Sequence, residues 1–206
     1  VSPETLSPVI SSRLVGQFVA ATAEEVGAEK LALVLADVNL SSSAIELENL
    51  SQMDGRAAAD LYARLQKALR TYYGRGARGI LLRIGRRLWQ KMAAQASLRE
   101  KAELQIVRRL PVPARRRRVL EFVAEHLCDA SGSASVYLLD VDLLLVDRSG
   151  AATCGQSDGE PICYVTLGMI QGALFWAVGR EVDVEEVACK ATGAPACEFK
   201  VKSGGS

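Results

Sequence analysis

Three cysteines punctuate one short helix–hairpin unit, and their spacing restricts the fold more than any other feature of the chain. From Cys163 to Gly179 the apolar residues Leu167, Ile170, Leu174 and Val178 recur every three or four positions, the period of one helix face. Gly168 and Gly172 lie four apart, so one side of that helix can approach another backbone closely. Glu181 to Val187 then alternates charged residues with valine, and Cys197 to Val201 alternates again as a return strand. Thr192-Gly193-Ala194 supplies the turn between them. A hairpin symmetric about Gly193 sets Cys189 opposite Cys197 on one side of the sheet, with Cβ atoms about 4.5–5.5 Å apart. Two thiolates there can share a metal ion. Cys163, at the helix start, offers a third ligand, and Cys154, in the loop before it, offers a fourth. Tetrahedral zinc takes four such ligands at about 2.3 Å.

These residues resemble a known family. Pro161-Ile162-Cys163, the glycine-punctuated helix that reaches Trp176, and the Val184-Glu185-Glu186-Val187-x-Cys189…Gly193…Cys197-x-Phe199 hairpin are similar to the 4-vinyl reductase (hydrocarbon-binding) domain. That domain is related to the TRAPP-like ligand-binding fold and to the zinc-containing sensor domains of phenol-responsive transcription activators. The resemblance is closest over 150–201. A looser likeness runs from Tyr73 to Gly85, which looks like a segment of bacterial members. In the phenol sensors three cysteines and a glutamate hold a zinc ion, and that spacing falls here on Cys163, Glu186, Cys189 and Cys197. Glu186 lies three residues before Cys189, so in a regular strand it points to the opposite face. It joins the metal only through a β-bulge or a bent strand. Cys154 is its rival as fourth ligand. Bare buried thiols, or a Cys189–Cys197 disulfide, are the alternatives to a metal.

The rest of the chain reads as helices around this unit. Residues 1–60 form an N-terminal helical region, with a helix over Val9–Val26, a turn at Gly27-Ala28, and a short apolar run Leu31–Leu35 read as helix. Asn39–Asn49 is polar and read as loop, with a helix start at Ser41-Ser42-Ser43. Leu61–Met92 is a helical hairpin or one kinked helix, broken at Gly74, Gly76 and Gly79. Leu98–Leu110 is amphipathic, Pro111-Val112-Pro113 stops it, and Arg115–Arg118 opens a helix over Val119–Cys128. Ala134–Asp147 is one bent strand or a hairpin turning at Asp140–Asp142. With the later hairpin it makes an antiparallel sheet of about four strands packed against a helical layer, an α+β fold. Residues 61–201 form the 4-vinyl-reductase-like α+β domain, and 202–206 a tail.

Composition narrows the function. Apolar residues make up 49% of the 206-residue chain with 5% aromatic, as in a compact aliphatic globule. No apolar run is long enough to span a bilayer. Five cysteines, an odd number, without a secretory signal pattern, fit reduced thiols in the cytoplasm. Seventeen of the 25 Lys and Arg residues fall between Arg64 and Arg118, against only two acids, Glu100 and Glu103. That block can dock an acidic partner as an interaction module, or be complemented by the acidic flanks. No nucleic-acid-binding motif accompanies it, which disfavours nucleic acid. A zinc ion closed by four protein ligands leaves no position for water, so it is structural rather than catalytic. The resemblance implies an apolar cavity that accepts an aromatic, an acyl chain or a tetrapyrrole, and a homodimer or partner protein. The expected function is therefore a small hydrophobic-molecule sensor or carrier with structural zinc. The alternative is a vinyl reductase, or its auxiliary subunit, in (bacterio)chlorophyll biosynthesis, although no catalytic set or redox-cofactor motif is visible. Candidate ligand-binding residues are Tyr73, Trp89, His126, Tyr137, Phe175 and Trp176.

Overall fold

The computed structural model describes residues 8–37, 40–128 and 133–202. Eight α-helices precede or interrupt four strands among these residues: α1 Ser12–Val26, α2 Ala28–Asp37, α3 Leu47–Ser51, α4 Gly55–Tyr73, α5 Ala77–Ala94, α6 Leu98–Arg109, α7 Val112–Leu127 and α8 Tyr164–Val178. The strands are β1 Ala134–Leu139, β2 Asp142–Asp147, β3 Val184–Ala188 and β4 Cys197–Val201. They form one antiparallel sheet in the order β1-β2-β4-β3. The α+β architecture read from the sequence is the one observed.

Local chemistry sets the helix ends. Ser11 caps α1 by accepting from the Leu14 amide, and Asp54 caps α4 by accepting from the Arg56 and Ala57 amides. Ser97 and Glu100 form a reciprocal capping box at the start of α6. Gly179 closes α8 in the left-handed region at φ 75°, donating its N–H to the Phe175 carbonyl.

Helix α8 is buried on nearly every side, as its uniformly apolar sequence requires, and it sits between the sheet and α5. The pairing of α5 with α8 is the most extensive in the molecule. Its cause is glycine. A Cβ built on Gly85 would lie 2.1 Å from the Val165 carbonyl oxygen, and one on Gly168 would lie 2.2 Å from the Leu82 carbonyl oxygen. The two backbones therefore touch where any side chain would hold them apart. Helix α7 covers β1 and β2, and α1 packs on the other side of α5. The inner sheet face contributes Leu143, Leu145, Val184, Phe199 and Val201 to a core that begins at Ile10.

The structure differs from the sequence reading in three places. The 40–51 segment is not loop alone, because a 3₁₀ turn at Ser42–Ile45 and the short α3 occupy it (Asn39 lies outside the described residues). Helix α7 begins at Val112 rather than Val119, with Pro111 in the capping position and Pro113 in the first turn. Proline has no amide to lose there, so the Pro-Val-Pro run that stops α6 also starts α7. Helix α4 begins at Gly55, so it runs across the 60/61 division.

The basic block is partly neutralised by the protein's own acids. Arg83 and Arg87 both donate to Glu25, Lys91 to Glu24, and Arg86 to Glu181. Arg117 and Arg118 pair with Glu121 on their own helix, while Arg115 donates to the Leu110 and Ala177 carbonyls. The last of these places a guanidinium at the carbonyl end of α8, where the helix dipole favours a cation.

Candidate functional site

Four residues converge where α8 meets the β3–β4 hairpin. Cys163 occupies the N-cap position of α8, Glu186 lies in β3, Cys189 directly follows β3, and Cys197 opens β4. Their ligand atoms, three Sγ and one carboxylate oxygen, all lie within 4.8 Å of one another. Cys163 Sγ is 3.5 Å from Cys197 Sγ and 3.8 Å from Cys189 Sγ. A tetrahedron with metal–sulfur bonds of about 2.3 Å has edges of about 3.8 Å, so the donor set fits one tetrahedral ion.

A break in the hairpin register brings the carboxylate in. Glu186 pairs with Phe199, but Ala188 pairs with Glu198, so Val187 is an inserted residue. One extra residue returns positions 186 and 189 to the same face, which regular alternation forbids. Glu186 Oε2 accepts the Cys163 amide at 3.0 Å, while Oε1 is buried without a hydrogen-bond partner. Cys154 stands outside the group. It lies at the end of a 3₁₀ turn over Ala151–Thr153, half-buried, where burial and Asp60 raise its pKa.

The electrostatics call for a cation. Burial pushes Glu186 up to about 8, although hydrogen bonds from Cys163 oppose it. The thiols of Cys163 and Cys197 depress Cys189, so one thiolate forms first and hinders the others. Cys163 is held well above its ordinary value by Cys189, Cys197 and burial. Cys163 pulls Cys197 down, but Cys189 and burial outweigh it and push Cys197 up to about 12. A divalent ion reverses this competition, because a coordinated thiol is deprotonated outright. The amide of Lys190 donates to Cys197 Sγ.

Sequence patterns did not reveal the residues around the donors. Tyr62, Gln66 and Arg70 follow one another at four-residue spacing on α4, and each has a buried polar atom without a hydrogen-bond partner. Arg70 interacts electrostatically with Cys163 and Cys189, which supplies positive charge beside an anionic cluster. The periodicity marks that stripe as an ordinary buried face. A glutamine and an arginine within it were the available signal.

The six candidate ligand-binding residues do not share one pocket. Trp89, Phe175 and Trp176 line an open cleft of about 800 Å³ between α5, α6 and α8. Trp89 and Trp176 meet edge to face at 5.7 Å, and the Arg108 guanidinium lies 4.6 Å above the Trp176 ring. His126 stands apart on α7, stacked on Phe122 and 2.9 Å from a Glu100 carboxylate oxygen. Tyr137 is an exposed residue of β1 whose hydroxyl accepts from Arg148. Tyr73, at the end of α4, packs against Tyr72.

Comparison with known proteins centres on the same hairpin. Residues 146–203 match the vinyl-4-reductase domain. That match runs from the end of β2 through β4 and contains all four clustered donors. An uncharacterized protein of Methanocaldococcus jannaschii, MJ0745, is 46% identical over 43 residues, which is 21% of this chain and 24% of that protein. The aligned stretch thus spans about a quarter of that relative. Solved structures extend the likeness beyond the vinyl-4-reductase segment. An H-NOX protein from S. oneidensis in the Fe(II)NO ligation state superposes with a TM-score of 0.58 at 10% identity, over 94% of this chain and 98% of that one. An oxygen-binding H-NOX domain related to soluble guanylate cyclases gives 0.56 at 13% identity, over 93% of both chains. The phenol-responsive sensory domain of the transcription activator PoxR, with phenol, gives 0.47 at 15% identity over 69% of this chain and 72% of that one. At such identities the two H-NOX likenesses establish the fold and nothing about the bound group.

Proposed function

We propose that this chain is a small-molecule-binding sensor or carrier domain in which one structural zinc ion holds the α8–hairpin unit together. Cys163, Glu186, Cys189 and Cys197 are its ligands, and the cleft between α5, α6 and α8 takes an apolar ligand. The single observation that carries this reading is the course of α8, which starts at the donor Cys163 and ends beneath the aromatic side chains of the cleft. Bound zinc supplies a closed tetrahedral crosslink and no site for water. The protein's own residues do the remaining work. The bulge at Val187 turns Glu186 inward, the Lys190 amide stabilises the Cys197 thiolate, and Arg70 offsets the net negative charge of three thiolates and a carboxylate. Reduced thiols of this kind fit a cytoplasmic setting. In the cleft, Trp89, Phe175 and Trp176 offer apolar surface, and a volume of about 800 Å³ suits a small organic molecule.

Elemental analysis and native mass spectrometry of protein purified under reducing conditions test the metal, and titration with the neutral dye Nile red tests the cleft. The expected results are one zinc per chain and one dye per chain, with dye binding lost in Trp176→Ala. Absence of zinc refutes the metal centre. Dye binding that survives Trp176→Ala refutes the cleft.

A further inference from the structure

The cleft is not uniformly apolar, and its charge is one-sided. Three of its lining residues are charged: Arg86, Arg108 and Glu181. Arg86 and Glu181 neutralise each other at 3.1 Å, and Arg86 also donates to Gln171. Arg108 has no carboxylate partner among the described residues, and its contact is the face of Trp176. A guanidinium lying on an aromatic ring is already fixed in orientation, while its N–H groups point outward in its own plane. That edge can form two parallel hydrogen bonds with a planar carboxylate. Phe175, half exposed, and the small residues Ala93, Ala94 and Gly172 leave room for a flat apolar body beside it.

On the reading that this cleft is the ligand site, we infer that its ligand is an aromatic carboxylate, with Arg108 as the anion-binding residue. The ring system lies against Trp89, Phe175 and Trp176, and the carboxylate meets the edge of the Arg108 guanidinium. A neutral aromatic fills the same apolar surface and leaves the cation to water. The distinction is therefore between charged and neutral ligands of one shape.

Isothermal titration with 2-naphthoate and its neutral near-isostere 2-naphthamide at pH 7.5 tests this. The acid binds about tenfold more tightly than the amide, since a charge-assisted pair replaces a solvated cation. Raising the salt weakens the acid and leaves the amide unchanged. Arg108→Gln removes the preference for the acid while amide binding persists, which shows that the variant is folded and its cleft intact. Equal affinity for both probes, or an acid preference that survives Arg108→Gln, overturns the inference and leaves the cleft as a ligand site. Failure of both probes to bind at millimolar concentration overturns the cleft reading as well. Self-association that competes with both probes shows that a second copy of the chain occupies the cleft, and it overturns the inference too.

Discussion

Replacing Gly168 by alanine adds one methyl group at the tightest point of the fold. The new Cβ lies 2.2 Å from the Leu82 carbonyl oxygen, 2.8 Å from its carbon and 2.9 Å from its Cα. Ordinary contact begins near 3.4 Å, so α5 and α8 have to part by about 1.2 Å. All three obstructing atoms are backbone, and no side chain can swing away to make room. Overpacking of this kind costs about 1–3 kcal/mol, and a rigid obstacle places this case near the upper end. Alanine returns about 1 kcal/mol through its better helix propensity. The net loss is therefore about 2 kcal/mol, a fall in Tm of about 4–8 °C for a protein of this size. Gly16→Ala is the control. Gly16 lies inside α1 with nothing within 4 Å of the added Cβ, so the same change should raise stability by up to about 1 kcal/mol. Urea unfolding followed by circular dichroism measures both variants. If Gly168→Ala is as stable as the parent, the close approach of α5 and α8 is not what glycine is for at this position.

The remaining predictions concern the site and one surface network. Glu186→Gln should weaken zinc retention against a competing chelator by about 10-fold or more, whereas Cys154→Ser leaves it unchanged, and the reverse outcome restores Cys154 as the fourth ligand. Arg70→Gln should speed zinc release by about 10-fold with the four ligands intact, as measured by a chromophoric chelator; an unchanged rate shows that Arg70 contributes only packing. The His126 hydrogen bond, with help from Ser97 and Arg13, holds the Glu100 carboxyl down to about 2. Because the folded pKa lies below the unfolded one, this stabilisation is complete above about pH 4.5 and is lost as pH falls through about 2. Glu100 is partly exposed, so solvent screening reduces the effect to about 1 kcal/mol. The stability gap between the parent and Glu100→Gln should accordingly close as pH falls from 6 to 2, and a pH-independent gap refutes the linkage.

Much of the site was legible because its determinants are local. The spacing of Cys163, Cys189 and Cys197 and the turn at Gly193 define the hairpin within a stretch of fewer than forty residues. Gly168 declared a close approach, although the sequence does not say that Gly85 faces it. The choice between Glu186 and Cys154 was not legible, because period-2 alternation does not register the single inserted residue at Val187. The 40–51 segment and the early start of α7 were missed for a similar reason. Short polar helices carry little periodicity, and proline both ends and begins helices. The cleft escaped entirely as a unit. Trp89, Arg108 and Trp176 lie far apart in the chain and meet only through the α5–α8 contact.

Helix α8 has one further consequence. Its 15 residues make a rod of about 22 Å whose first turn is fastened at the thiol cluster and whose last turn carries Phe175 and Trp176. Binding free energies at two sites on one body are reciprocal. Whatever factor a loaded thiol cluster adds to the affinity of the aromatic end, an occupied aromatic end returns to the ion. A domain built on this rod responds to the coincidence of two supplies, metal and organic molecule, rather than to either concentration alone.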